Sequence, residues 1–100
     1  MKSRNRELMI PPAVELYPQA FEVLRVWVSP QGPVVSLLPD TWSDPAAWGV
    51  FLVDLAKQVA NGQGHENAAA RTRALNRIKE GFDAEWTKAT SEPKGGFLLE

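Results

Sequence analysis

The sequence contains no cysteine and a single histidine, His65. The absence of cysteine excludes disulfides, thiolate zinc sites, iron–sulfur clusters and a cysteine nucleophile, and it favours a reducing cytoplasm. His65 lies beside Glu66 in a glycine-rich stretch, without the second histidine that a zinc motif requires. The sequence also has no nucleophile elbow and no phosphate-loop motif. We therefore predict no catalytic residue, no metal site and no resident cofactor, and we interpret His65 as a solvated loop residue.

Long hydrophobic runs and an excess of one charge are also missing. The longest apolar run, residues 46–53, ends at Asp54 and is much shorter than the roughly 20 residues that a membrane helix needs. Lysine and arginine number 11 against 12 aspartate and glutamate residues, so the net charge is −1. No overall field attracts nucleic acid or an acidic membrane, and we expect no membrane partner.

The composition fits one small globular domain, because 44% of the 100 residues are hydrophobic and 23% are charged. We assign residues 1–12 to a flexible basic arm that ends in two prolines, and residues 13–89 to a single α+β domain. Residues 90–100 form a tail, for which disorder and a docked strand are the two alternatives.

Two strands are predicted at residues 21–28 and 34–38, where β-branched and aromatic residues are abundant. Residues 29–32, Ser-Pro-Gln-Gly, predict a hairpin loop of three to five residues with Gly32 at a positive φ. Residues 13–17 are predicted to be extended. A two-stranded hairpin is only marginally stable, so we expect dimerisation to extend the sheet.

The first helix is predicted over residues 45–61. Pro45 suits its first turn, and Ser43 or Asp44 can cap its free N–H groups. Gly62 is the predicted left-handed stop. At helical spacing the helix has one bulky apolar stripe and one stripe of smaller residues. The bulky stripe contains Trp48, Phe51, Leu52, Leu55 and Val59, and the smaller one contains Gly49, Val53, Ala56 and Ala60.

The second helix is predicted from about residue 67 to residue 88. Its narrow apolar stripe consists of Leu75, Ile78, Phe82 and Trp86. Gly81 lies inside this helix, where glycine costs about 1 kcal/mol relative to alanine. That cost predicts close packing of Gly81 against the smaller stripe of the first helix.

The charges of the second helix run in an unusual order, because Arg73 and Arg77 precede Glu80 and Asp83. This order opposes the helix dipole. An antiparallel copy of the helix across a two-fold axis would set the basic half against the acidic half, so we predict self-association through these four residues. A solvated face without a partner is an equally open alternative.

The basic segment of the second helix raises the question of nucleic-acid binding. Its members are Arg71, Arg73, Arg77 and Lys79. The connection between the two helices is longer than the turn of a helix-turn-helix, and acidic residues follow on the same helix. We therefore do not expect nucleic acid as a partner.

Four tryptophans in 100 residues are more than so small a core is expected to bury. Trp48 and Trp86 fit the apolar helix stripes. Trp27 shares a strand face with Arg25, and Trp42 lies in the loop before the first helix. We predict a ligand or partner surface at Arg25, Trp27 and Trp42, with coverage of the edge of the core as the alternative.

Two stretches of the sequence resemble a known family. They are FEVLRVWVSPQGPVVSLLPDTWSDPAAWGVFLVDLAKQVA, residues 21–60, and RIKEGFDAEW, residues 77–86. Together they are similar to an uncharacterised bacterial family, the domain of unknown function 5076. The resemblance implies a small bacterial cytoplasmic protein, and it implies no activity, ligand or catalytic residue.

The predicted fold is α+β, a β-hairpin followed by two α-helices packed on the sheet. The leading functional hypothesis is a non-enzymatic interaction or regulatory module that forms a homodimer and binds a protein partner of unknown identity. The alternative is a small-molecule-binding protein or enzyme whose cleft lies between the sheet and the helices, with Arg25, Trp27 and Trp42 near its mouth.

Overall fold

The computed structural model describes residues 7–88 and 96–99. The fold is α+β, and a β-hairpin followed by two helices is confirmed. In chain order the elements are a 3₁₀ helix at Pro12–Leu16, β1 at Leu24–Ser29, β2 at Gly32–Leu37, a 3₁₀ turn at Pro39–Thr41, α1 at Pro45–Gly64, α2 at Ala68–Trp86 and β3 at Gly96–Leu99. The first six residues of the predicted arm, residue 89 of the predicted domain, and residues 90–95 and 100 of the predicted tail lie outside the described residues.

The sheet has three strands in the order β1-β2-β3. β1 and β2 are antiparallel, with Leu24 opposite Leu37 and Ser29 opposite Gly32, and β3 runs parallel to β2. Only two residues separate Ser29 from Gly32, so the loop is shorter than predicted. Gly32 has a φ of 112°, and the Ser29 hydroxyl donates a hydrogen bond of 2.7 Å to the Gly32 carbonyl oxygen. Residues 96–99 adopt the strand alternative that the sequence left open.

The segment before β1 differs from its prediction. Residues 13–17 were expected to be extended, whereas Pro12–Leu16 forms a 3₁₀ helix. The Val14 N–H donates to the Pro11 carbonyl oxygen at 3.0 Å, and the Tyr17 N–H donates to the Val14 carbonyl oxygen at 3.2 Å. These local bonds satisfy backbone groups that an extended segment would have to pair with another strand.

Helix α1 begins as predicted and ends later than predicted. The Asp44 carboxylate accepts a hydrogen bond of 3.0 Å from the Ala46 N–H, and Pro45 occupies the first turn. Gly62 is helical rather than the predicted stop, because the helix continues to Gly64. His65 follows with a φ of 49°, and its N–H donates to the Asn61 carbonyl oxygen at 2.9 Å.

The two helices approach each other most tightly beside the three-residue turn that joins them. Ala60, only 2% exposed, and Gly64 are buried against α2. A Cβ atom at Gly64 would lie 2.6 Å from the backbone nitrogen of Arg71 and 2.8 Å from its Cα. A turn this short forces the backbones together, so a glycine is needed at this position.

The predicted close packing of Gly81 is wrong. Gly81 is exposed, and a Cβ atom there would have no neighbour within 4 Å. Within the smaller stripe of α1, Ala60 is buried and Ala56 is half-buried, whereas Val53 is exposed and Gly49 borders open space. The spacing of residues within α1 therefore identified its smaller stripe but did not identify where the two helices lie closest to each other.

Replacement of Gly64 by alanine tests this close approach. We expect Gly64→Ala to lower the free energy of unfolding by about 1–3 kcal/mol, because the new Cβ overlaps backbone atoms of Arg71 that cannot move independently. The matched control is Gly62→Ala in the same helix, where the Cβ meets no atom within 4 Å. Gly62→Ala should raise stability by about 0.5–1 kcal/mol through helix propensity. Equal urea denaturation curves for the two variants would contradict the prediction.

Candidate functional site

A groove of about 700 Å³ lies between the segment before β1, β1 itself and one face of α1. Its walls are mainly apolar, and they include Leu8, Met9 and Ile10 on one side and Phe51 and Leu55 of α1 on the other. The volume falls within the range of small-molecule sites. The groove is the place where the helical layer and β1 face each other.

Arg25 of β1 holds one wall of the groove in place. Its Nη1 atom donates to Glu7 Oε2 at 2.7 Å, and its Nε and Nη2 atoms donate to the Glu22 carboxylate at 3.1 and 3.2 Å. The hydrogen bonds that Arg25 donates to Glu22, together with the charges of the two carboxylates, raise the pKa of Arg25. The guanidinium therefore links the segment before β1 to the strand and has two carboxylate partners already.

The three residues of the predicted ligand or partner surface do not all lie in the groove. Arg25 and Trp27 line it together. Trp42 instead packs edge-on against Trp48, with ring centroids 4.9 Å apart, and lies 5.8 Å from Phe51. Because Phe51 also lines the groove, Trp42 adjoins the site through one ring, and a binding role for the three residues stays a prediction.

Trp48 fixes the position of this aromatic cluster. Its Nε1 atom donates a hydrogen bond of 3.0 Å to the Pro39 carbonyl oxygen. The bond connects the first turns of α1 to the 3₁₀ turn that follows β2. The cluster thus sets the orientation in which α1 leaves the sheet.

The predicted self-association residues of α2 are exposed, and three of them form ion pairs along their own helix. Arg77 pairs with Glu80 at 2.9 Å, and Lys79 pairs with Asp83 at 2.6 Å. The hydrogen bond to Asp83 raises the pKa of Lys79, so the ammonium group keeps its charge at neutral pH and loses it as the pH rises through the raised value. Arg73 is exposed as well, and self-association through these charges stays a prediction.

The structure exposes an aromatic pair on α2 that the sequence assigned to the core. Phe82 and Trp86 stack with ring centroids 5.5 Å apart and planes inclined by 17°. They are 51% and 76% exposed. Phe82 and Trp86 continue the apolar stripe of α2 beyond Leu75 and Ile78, which are half-buried. The length of this stripe was the feature of the sequence that could have indicated the exposed pair.

The described residues offer little acid–base or metal chemistry. Within residues 7–88 and 96–99, no group of three or more histidine, aspartate or glutamate side chains is arranged to hold a metal ion. His65 is exposed at the end of α1. In the same part of the chain, neither helix combines the length and the hydropathy that are needed to cross a membrane.

This architecture is that of a small α+β domain with an apolar groove. The family model for "Domain of unknown function (DUF5076)" matches residues 7–90, and the chain belongs to this family. It is also similar to the solved "Structure of a putative pyruvate dehydrogenase from the photosynthetic bacterium Rhodopseudomonas palustrus CGA009". The two chains are 32% identical with a TM-score of 0.71, over 94% of this chain and 96% of that chain. No curated protein matches the sequence.

The Arg25 ion pairs give a test of how the groove is held. Arg25→Gln removes the charge that pairs with Glu7 in the segment before β1, so we expect the backbone ¹⁵N order parameters of Leu8, Met9 and Ile10 to fall. The control is Arg77→Gln, which removes an ion pair on α2 outside the groove. Unchanged order parameters in Arg25→Gln would show that apolar contacts, not the ion pairs, hold this segment.

Proposed function

We propose that this protein is a non-enzymatic, homodimeric interaction or regulatory module of the cytoplasm, and that a second copy completes its hydrophobic core. The observation that supports this most strongly is the accessible surface of one chain, 9060 Å². A compact chain of 11.1 kDa is expected to expose about 5,700 Å². The radius of gyration, 15.8 Å, also exceeds the roughly 13 Å of a compact chain of this length.

The excess surface is large enough to include an obligate interface. Summed over the whole chain it is on the order of 3,000 Å², whereas each partner of a standard complex buries roughly 800 Å². Obligate homodimers bury roughly 2,000–5,000 Å² or more in total, which is about 1,000–2,500 Å² or more per chain, and they have apolar interfaces. A second copy of the chain is therefore the economical way to cover the surface.

The exposed surface is rich in large apolar side chains. Leu8 is 90% exposed in the groove wall, and Val28 is 89% exposed at the end of β1. Within residues 7–88, Ala60 is the one hydrophobic residue that is buried. Burial of a large apolar side chain stabilises a fold by about 1.5–3 kcal/mol, so a single chain forgoes much of the stability that its composition can supply.

Measurement of the mass in solution tests the dimer. We expect light scattering and sedimentation equilibrium to give twice the chain mass of 11.1 kDa at micromolar concentration. Because a dimer is stabilised by mass action, its Tm should rise with protein concentration. A mass of one chain at every concentration, with a constant Tm, would refute the proposal.

The groove supports a second candidate function, a small-molecule-binding protein or enzyme. Its volume of about 700 Å³ and its apolar walls suit a small ligand, and Trp27 is part of the lining. The description of the similar bacterial protein names pyruvate, a small carboxylate. In this chain Arg25 already pairs with Glu7 and Glu22, so the groove has no surplus positive charge from Arg25 to attract a carboxylate. We favour the interaction module because the positive charge of Arg25 is already paired.

A thermal-shift titration separates the two functions. Under the leading proposal, pyruvate at millimolar concentration leaves the Tm unchanged at fixed protein concentration, because the one cation among the described residues of the groove, Arg25, already pairs with two carboxylates. Trp27→Ala is the control for specificity. A saturable rise in Tm in the native protein that Trp27→Ala abolishes would favour the small-molecule function instead.

A further inference from the structure

The α1–α2 hairpin is packed at its turn and open at its other end. Near the turn, Ala60 is buried and Leu75 is half-buried between the helices. Farther along the same stripe of α1, Val53 is 53% exposed and Gly49 has no atom within 4 Å of its Cβ position. The apolar faces that touch beside the turn therefore lie open to solvent at the far end.

The facing stripe of α2 continues to this open end. Phe82 and Trp86 follow Leu75 and Ile78 at helical spacing, so they lie on the same side of α2. Their rings stack on each other, and both are more than half exposed. The open end thus combines two exposed rings on one helix with an uncovered part of the smaller stripe, Gly49 and Val53, on the other.

We propose that, in the dimer, Phe82 and Trp86 of each copy insert into the open end of the partner copy's α1–α2 hairpin, beside Gly49 and Val53. This inference rests on the proposed homodimer and specifies its interface. Each copy carries both the rings and the uncovered stripe, so a two-fold axis brings the rings of each copy against the stripe of the other. The excess accessible surface of the chain supports a second copy as the occupant, since each half of such an interface removes apolar surface from both copies.

The charges of α2 agree with this placement. By helical spacing Arg77 and Glu80 lie on the side of α2 away from Phe82 and Trp86, whereas Lys79 and Asp83 flank the rings. Both ion pairs are closed within the helix, at 2.9 and 2.6 Å. Insertion of the rings therefore leaves neither pair as an isolated charge in the interface.

Removal of the larger ring is the first test. We expect Trp86→Ala to raise the dimer dissociation constant at least about thirtyfold, as for an interface hot spot. Trp86 contributes little to the core of its own chain because it is 76% exposed, so the helical circular dichroism should persist. The matched control is Val28→Thr, which changes an equally exposed apolar residue on the sheet and should leave the constant unchanged.

Filling the open space beside Gly49 is the second test. This substitution should favour folding of the single chain while it weakens the dimer. Leucine at position 49 has open space in its own chain and a higher helix propensity than glycine, so Gly49→Leu should fold. In the dimer the leucine occupies the space of the incoming ring, and the dissociation constant should rise at least tenfold, as about 1.4 kcal/mol of lost binding would produce. Gly62→Leu in the same helix also has open space and should dimerise as the native protein does.

The outcomes distinguish the interface from the dimer itself. A native protein that is monomeric at every concentration overturns the homodimer and this inference with it. A native dimer that Trp86→Ala and Gly49→Leu leave intact overturns only the inference. If Arg73→Glu with Arg77→Glu dissociates that dimer, the charged side of α2 forms the interface, and if Val28→Thr does so, the sheet forms it.

Discussion

The contact of Gly64 with Arg71 determines how the helical half of the molecule is arranged. At this point the two backbones lie so close that a single methyl group would overlap the nitrogen of Arg71. Because only three residues join the helices, this contact sets where they touch, and burial between them declines toward the other end. Ala60 is buried one turn away, whereas Val53 two turns farther along α1 is exposed. The exposed far end of the α1–α2 hairpin is thus a consequence of the close contact at its turn.

The second feature that shapes this protein is the small extent of its buried core. Its apolar residues are numerous, but most are arranged on faces that a single chain leaves uncovered. Solvation of those faces reduces the net stability of a chain that is only 100 residues long. The similar bacterial structure shares the fold over nearly the whole chain, so this arrangement of strands and helices is not peculiar to one sequence. In the proposed homodimer, a core shared between two copies would compensate for this small buried area.

The groove beside β1 illustrates how the same surface supports two functional hypotheses. Its volume and apolar walls would suit a ligand, and the same walls would suit the side chains of another protein. Arg25 decides between them, because a free guanidinium would attract an anion, whereas this one already has Glu7 and Glu22 as partners. Its role in this structure is to hold the segment before β1 against the strand. The groove therefore contributes shape and apolar surface more than charge.

The sequence alone determined those features that depend on neighbouring residues. Asp44 and Pro45 marked the start of α1, and Gly32 provided the positive φ of the hairpin, since each acts within a few residues along the chain. Tertiary structure alone decided which glycine lies between the helices, whether Trp86 is covered, and that Trp42 packs beside the groove that Arg25 and Trp27 line. These features depend on how far apart two separate elements lie, and a helical repeat identifies an apolar face without specifying what covers it.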